Sequence, residues 1–265
     1  MAAAGVAAVA SIASAQAVRG GGLFTSSTLA ANDDGSTGLV AMGATWNFFG
    51  TSYSNLYVNN NGNVTFDGPL GTYTPFPIVS TATKMIAPFF ADVDTRGGGL
   101  EVKYGTGTVG GRHAFGVNWV DVGYYSGHSV PTNSFQLVMI DRADRGAGDF
   151  DFEFNYDRIL WETGDASGGS GGLGGSCART GFSNGSTTSY ELPGSGSCGA
   201  LLDGGPAGTA LIHNRRASSV DGRYIFSVES GVPDAVVPEP SSIILLGSGL
   251  VGVGFAAFRR RREGR

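Results

Sequence analysis

From Leu39 to Glu229 the chain alternates apolar and polar side chains with a period of two, and turn residues break the alternation at short intervals. In Phe150-Asp-Phe152-Glu-Phe154 the three phenylalanines share one face of a strand, while Asp149, Asp151 and Glu153 share the other. Phe115-Gly-Val117-Asn-Trp119, Phe135-Gln-Leu137-Val-Met139 and Tyr224-Ile-Phe226-Ser-Val228 repeat the pattern. Leu56-Tyr-Val58 and Val64-Thr-Phe66 flank Asn61-Gly62, a pair that tolerates the positive φ of a tight hairpin turn. No stretch of the body carries a 3.6-residue apolar period. The expected fold is all-β, a sandwich of about ten antiparallel strands.

Composition agrees with a packed, glycine-turned sandwich. Glycine supplies 45 of 265 residues with no three-residue period, which excludes collagen. Hydrophobic residues make up 41% and charged residues 15%, so disorder driven by charge is excluded too. The net charge is −5, and residues 1–237 alone hold 12 basic and 20 acidic side chains, a net of −8. An acidic body argues against a nucleic-acid partner.

The two ends read as addresses. Ala15-Gln16-Ala17 closes an apolar run as a secretory cleavage pattern, so residues 1–17 are expected to be a signal peptide. No Lys or Arg precedes Arg19, and the signal is therefore read as truncated. At the other end residues 241–258 are uncharged, and eighteen helical residues span about 27 Å, enough for a thin bilayer core. Arg259, Arg260, Arg261 and Arg262 follow at once and act as a basic stop that keeps this end cytoplasmic. Pro238-Glu239-Pro240 holds the preceding backbone extended.

This tail, with proline motif, apolar helix and arginine cluster in that order, resembles the PEP-CTERM sorting signal of Gram-negative bacteria that make exopolysaccharide. The resemblance implies a membrane-bound transpeptidase, exosortase, as partner. It implies cleavage at Pro238, Glu239 and Pro240 and release of the domain to the cell surface or matrix. A retained membrane anchor is the other reading.

The body carries a second resemblance. Ile86-Ala-Pro-Phe-Phe-Ala-Asp92-Val-Asp94-Thr-Arg96, Trp119-Val-Asp-Val122, Phe154-Asn-Tyr156, Ile159-Leu-Trp161-Glu-Thr-Gly164, Leu192-Pro-Gly-Ser195 and Gly222-Arg-Tyr224-Ile-Phe226 are similar to the nidogen-like (NIDO) extracellular domain over about residues 45–230. Phe90 and Tyr224 stand where that family commonly has tryptophan. The resemblance implies a role in cell–matrix adhesion or in exopolysaccharide association, with no catalytic residues to carry over. The domain plan is then a signal (1–17), an N-terminal extension (18–44), the sandwich (45–230), a linker (231–240), the helix (241–258) and a basic tail (259–265).

Within the body a few residues invite chemistry. Cys177 and Cys198, an even pair in an exported chain, are read as a disulfide, with two free thiols as the alternative. None of His113, His128 or His213 falls at metal-ligand spacing with them. Asp92 and Asp94, two residues apart on a strand that enters the turn Gly97-Gly98-Gly99, are the candidate Ca²⁺ ligands. The other reading has them bonded to turn amides and Arg96, and no cofactor is otherwise expected. The stripe Asp149, Asp151, Glu153 reads as a solvated sheet face. Gly168-Gly-Ser170-Gly-Gly172 fits the nucleophile-elbow spacing but lies in a glycine tract read as a surface loop. A secreted polysaccharide-active enzyme, pairing Asp92 or Asp94 with Glu162, is the rival function.

Overall fold

The computed structural model describes residues 16–235 apart from positions 21, 80 and 99. Ala15, Pro238, Glu239, Pro240, the apolar segment 241–258 and Arg259–Arg262 lie outside the described residues. Among the described residues no helix is long and apolar enough to cross a membrane.

The strands are β1 (Ser27–Leu29), β2 (Val40–Phe48), β3 (Thr51–Asn59), β4 (Asn63–Thr65), β5 (Lys84–Phe90), β6 (Val93–Asp94), β7 (Val102–Val109) and β8 (Arg112–Tyr124). There follow β9 (His128–Asp141), β10 (Phe150–Arg158), β11 (Arg179–Asn184), β12 (Ser189–Glu191), β13 (Arg223–Glu229) and β14 (Val232–Pro233). Nine of the fourteen have six or more residues, and β3, β8, β9, β10 and β13 among them hold alternating runs named above. The shorter strands are two- and three-residue pairings too short to show a period. The only helical turns described are 3₁₀, at Asp165–Ser167 and Leu211–His213.

Two sheets result, in the strand orders β1-β7-β8-β9-β10-β13-β14, with β6 also on β8, and β12-β11-β5-β4-β3-β2. Every named strand pair is antiparallel. Register keeps like faces together: Trp119 opposes Phe135, Val117 opposes Leu137, and Phe152 opposes both Met139 and Phe226. These residues point inward and meet Trp46, Phe48, Leu56, Val58, Ile86 and Phe182 of the smaller sheet in one buried cluster. Aromatic pairs fill it. Trp119 stacks on Phe135 at 5.3 Å, Phe152 stacks on Phe226 at 4.8 Å, and Phe182 meets Phe152 edge-on at 5.4 Å. Offset and edge contacts of this kind add about 0.5–1.5 kcal/mol each beyond area burial.

The outer face of the large sheet is not open to solvent, contrary to the reading of the acidic stripe. Residues 16–20 and 22–24 lie across it. Phe24 is buried against Ala114, Val138 and Ile140, directly over Gly116, where a Cβ would sit 2.3 Å from the ring. Asn118 donates to the carbonyls of Leu23 and Phe24, and Gln136 exchanges hydrogen bonds with the Arg19 backbone. Asp149, Asp151 and Glu153 are all buried, Glu153 under the arm and the other two under the β9–β10 connection and the β13–β14 turn. Arg19 pairs bidentately with Glu153 at 2.7 and 2.8 Å, and Arg142 and Arg145 close on Asp151 at 2.5 and 2.7 Å. Asp149 caps the Ser230 amide. The arm and β1, which pairs with β7, thus belong to the same packed body as the sandwich.

Candidate functional site

The hairpin between β3 and β4 organises one end of the sandwich. Asn59 pairs with Asn63 across the turn, and Gly62 takes φ +72°. Only glycine fits at Gly62, because a Cβ would lie 1.7 Å from the Phe89 carbonyl oxygen. Asn59, Asn60, Asn61 and Asn63 are fully buried, and each spends its amide on a specific partner. Asn60 donates to the carbonyls of Asp33 and Val93, and its own carbonyl accepts from the Trp119 indole at 3.0 Å. Asn61 donates to Asp34 Oδ1 at 2.9 Å and accepts from the Val93 amide at 3.0 Å. These bonds tie the β1–β2 loop to the bend between β5 and β6.

That connection brings together carboxylates far apart in sequence. One oxygen from each of Asp33, Asp34 and Asp92 lies within 4.8 Å of the others. Asp92 is 1% exposed, and its one hydrogen bond, from Ser167 Oγ, is long at 3.5 Å. Asp33 Oδ2 meets Arg96 at 2.9 Å, but its Oδ1 is buried without a partner. Burial pushes the Asp92 carboxyl up to about 7, and the charges of Asp33 and Asp34 add to the effect. Burial likewise raises Asp33 to about 6, with Asp34 and Asp94 adding and Arg96 opposing.

Asp94 does not join this group. It accepts from the Arg96 amide, from Arg96 Nε and Nη2, and from the Gly127 amide, all at 2.8–2.9 Å. Burial alone would raise its pKa, but these donors hold it below the usual carboxylate value. Asp94 thus follows the other reading, bonded to Arg96 and a turn amide, while Asp92 lies beside Asp33 and Asp34 instead. The sequence reading missed the latter two because they precede Asp92 by some sixty residues. The signal that would have found them is the asparagine run at 59–63, whose side-chain amides have to be satisfied once buried.

The glycine loop roofs this corner. Gly164 passes so close to Asp92 that a Cβ would sit 2.2 Å from its Oδ2. Ser167 Oγ also meets Thr74 Oγ1 at 3.0 Å. Cys177 and Cys198 form a disulfide with Cα atoms 5.3 Å apart, and no free cysteine is present among the described residues. Beside it the buried Glu162 accepts the Gly199 amide with both oxygens, at 2.9 and 2.8 Å. Ser170 is exposed in a one-residue bridge to Leu173, with no base hydrogen-bonded to it. His128 pairs with Asp165 at 2.9 Å on the surface, while His113 and His213 bond the carbonyls of Met42 and Asp203. Of the signal pattern, Ala17 is described. It is buried, its amide donates to Asp157 at 2.9 Å, and its carbonyl accepts from Arg223.

Comparison with known proteins adds to this geometry. The nidogen-like domain model matches residues 54–109 and 103–230, which is most of the two sheets. The chain belongs to the nidogen-like domain family. The PEP-CTERM protein-sorting motif matches residues 236–262. Alpha-tectorin of Homo sapiens is 36% identical over 191 residues, which cover 62% of this chain and 8% of the tectorin. Alpha-tectorin of Gallus gallus is 34% identical over 190 residues, with 62% and 9% covered. The chain therefore spans less than a tenth of the length of these curated relatives. No solved structure matches it. A nidogen-like domain joined to a PEP-CTERM signal makes this an exported, surface or extracellular protein of a Gram-negative bacterium.

Proposed function

We propose that the chain is a non-enzymatic matrix or adhesion protein, displayed at the cell surface and associated with exopolysaccharide. The observation that carries this reading is the joining of a nidogen-like sandwich to a sorting tail. The apolar segment 241–258 holds the exported chain in the inner membrane, with Arg259–Arg262 on the cytoplasmic side. Exosortase cuts at Pro238-Glu239-Pro240, and the sandwich leaves the membrane. Ala17 is held on both sides by the folded domain, so we place the N-terminal cut ahead of it, after Ala15.

The disulfide supports an oxidising destination. The rival reading, a polysaccharide-active enzyme, needs Glu162 as an acid free to meet substrate. Its engagement by Gly199 counts against that use. The test is the intact mass of the protein recovered from an exosortase-bearing host and from the same host lacking the enzyme. The proposal expects a chain starting at Gln16 and ending near Pro238 in the first host, and a membrane-held chain with its tail in the second. An identical, tail-bearing mass in both would refute it.

A further inference from the structure

Asp33, Asp34 and Asp92 are buried or half-buried, yet among the described residues only one cation, Arg96, touches the group. Arg96 meets Asp33 and is shared with Asp94, and no cation among the described residues pairs with Asp34 or Asp92. Buried charges are stable only when paired or bound to metal. Hydrogen bonds do not fill the deficit. Asp33 Oδ1 is a buried oxygen with no donor, and Asp92, 99% buried, has only the 3.5 Å contact with Ser167. Asp34 receives one bond, from Asn61.

The spacing suits a single ion. Two oxygens on opposite sides of a Ca²⁺ ion, each about 2.3–2.6 Å from it, are about 4.6–5.2 Å apart. The three carboxylates offer oxygens all within 4.8 Å. The donor set is oxygen only, which selects a hard cation over zinc, whose sites use His and Cys. Mg²⁺ keeps several waters and takes one or two carboxylates, so a cluster of three carboxylates favours Ca²⁺.

We infer that Asp33, Asp34 and Asp92 form a calcium site that fastens the β1–β2 loop to the β5–β6 bend beneath the glycine loop. The ion supplies the missing positive charge and takes the orphaned Asp33 Oδ1 as a ligand. The inference stands apart from the proposed surface function, because it concerns the purified chain alone. An affinity in the range of extracellular calcium modules, with a Kd of about 0.1–1 mM, is expected.

The test is calorimetric titration of the purified full chain in detergent, stripped with chelator and titrated with CaCl₂ or MgCl₂ at constant ionic strength. Thermal unfolding is followed in the same solutions. One Ca²⁺ should bind per chain, at least tenfold tighter than Mg²⁺, and the midpoint of unfolding should rise with Ca²⁺ concentration. Asp92→Asn should weaken binding at least tenfold. Asp34→Asn, at a half-buried position, should do the same and serves as the control for folding. Absence of a Ca²⁺ effect in the folded wild-type chain overturns the site. So does binding that survives in Asp34→Asn and Asp92→Asn, which would place the ion elsewhere.

Discussion

Two groups of buried carboxylates sit in the same sandwich and are treated in opposite ways. Asp151 and Glu153, on the outer face of the large sheet, each meet arginine: Arg142 and Arg145 for the first, Arg19 for the second. Of Asp33, Asp34 and Asp92, at the end of the sandwich, only Asp33 meets an arginine, Arg96, which it shares with Asp94. The first group is complete within the chain, and one of its arginines, Arg19, holds the N-terminal arm on the sheet. The second is complete only with something added. Acidic side chains thus serve as a latch in one place and as candidate cation ligands in the other. The difference lies in whether an arginine is in reach.

The sharpest way to break this contrast is to remove one member of the complete group. Glu153→Ala leaves Arg19 unpaired beside Asn155 and Gln136 and removes the anchor of the arm. Breaking a buried pair from one side costs about 3–5 kcal/mol. Urea unfolding should show that loss, whereas Asp92→Asn in chelator should cost far less, because it removes a charge that had no partner. Equal costs for the two would erase the distinction drawn here. Phe24→Ala attacks the same latch through packing, and a buried Phe→Ala costs about 3–5 kcal/mol. The loss should come with faster proteolysis between residues 16 and 25, read by mass spectrometry.

The roof over the uncompensated group gives the next effect. Cys177–Cys198 closes a loop with a sequence separation of 21 and holds the glycine tract that approaches Asp92 at Gly164. Replacing both cysteines with serine should cost about 3 kcal/mol in the chain-entropy account. Denaturant midpoints with and without chelator test it. If the loss is the same size but Ca²⁺ no longer protects the variant, the roof is part of the cation site as well as of the fold.

Much of the sandwich was legible because its information is local. Phe150, Phe152 and Phe154 declare a face by alternation alone, and Asn61-Gly62 declares its turn by the φ it tolerates. Cys177 and Cys198 declare a disulfide by parity in an exported chain. What was not legible depends on contacts across the chain. Alternation places Asp151 and Glu153 opposite the phenylalanines, but it cannot say that Arg19 returns to Glu153 or that Arg142 and Arg145 close on Asp151. Nor can Asp92-Val-Asp94 show that one carboxylate turns to Arg96 while the other meets Asp33 and Asp34. Side-chain pairing decides the first, and the buried asparagine hairpin, held against the β5–β6 bend, decides the second.

The smallest predicted effect is also the most diagnostic, since it distinguishes a cation-binding cluster from one satisfied by its own protons. In the chelated chain Asp92 and Asp33 have carboxyl groups raised to about 7 and about 6. An unfolded aspartate titrates near 3.9. The folded chain therefore binds protons more tightly than the unfolded chain between about pH 4 and 7. The stability these groups contribute is fully present below about pH 4, and it is lost as pH rises through their folded values. Calcium must displace those protons, so its own stabilisation runs the other way and grows with pH. Thermal midpoints from pH 4.5 to 7.5 should thus fall in chelator relative to Asp92→Asn, while the gap between calcium-loaded and chelated chains widens. Parallel curves with and without calcium would mean that protons and the ion do not compete at these carboxylates. Asp33 and Asp92 would then have to be satisfied by each other through a shared proton, and the cluster would need no cation.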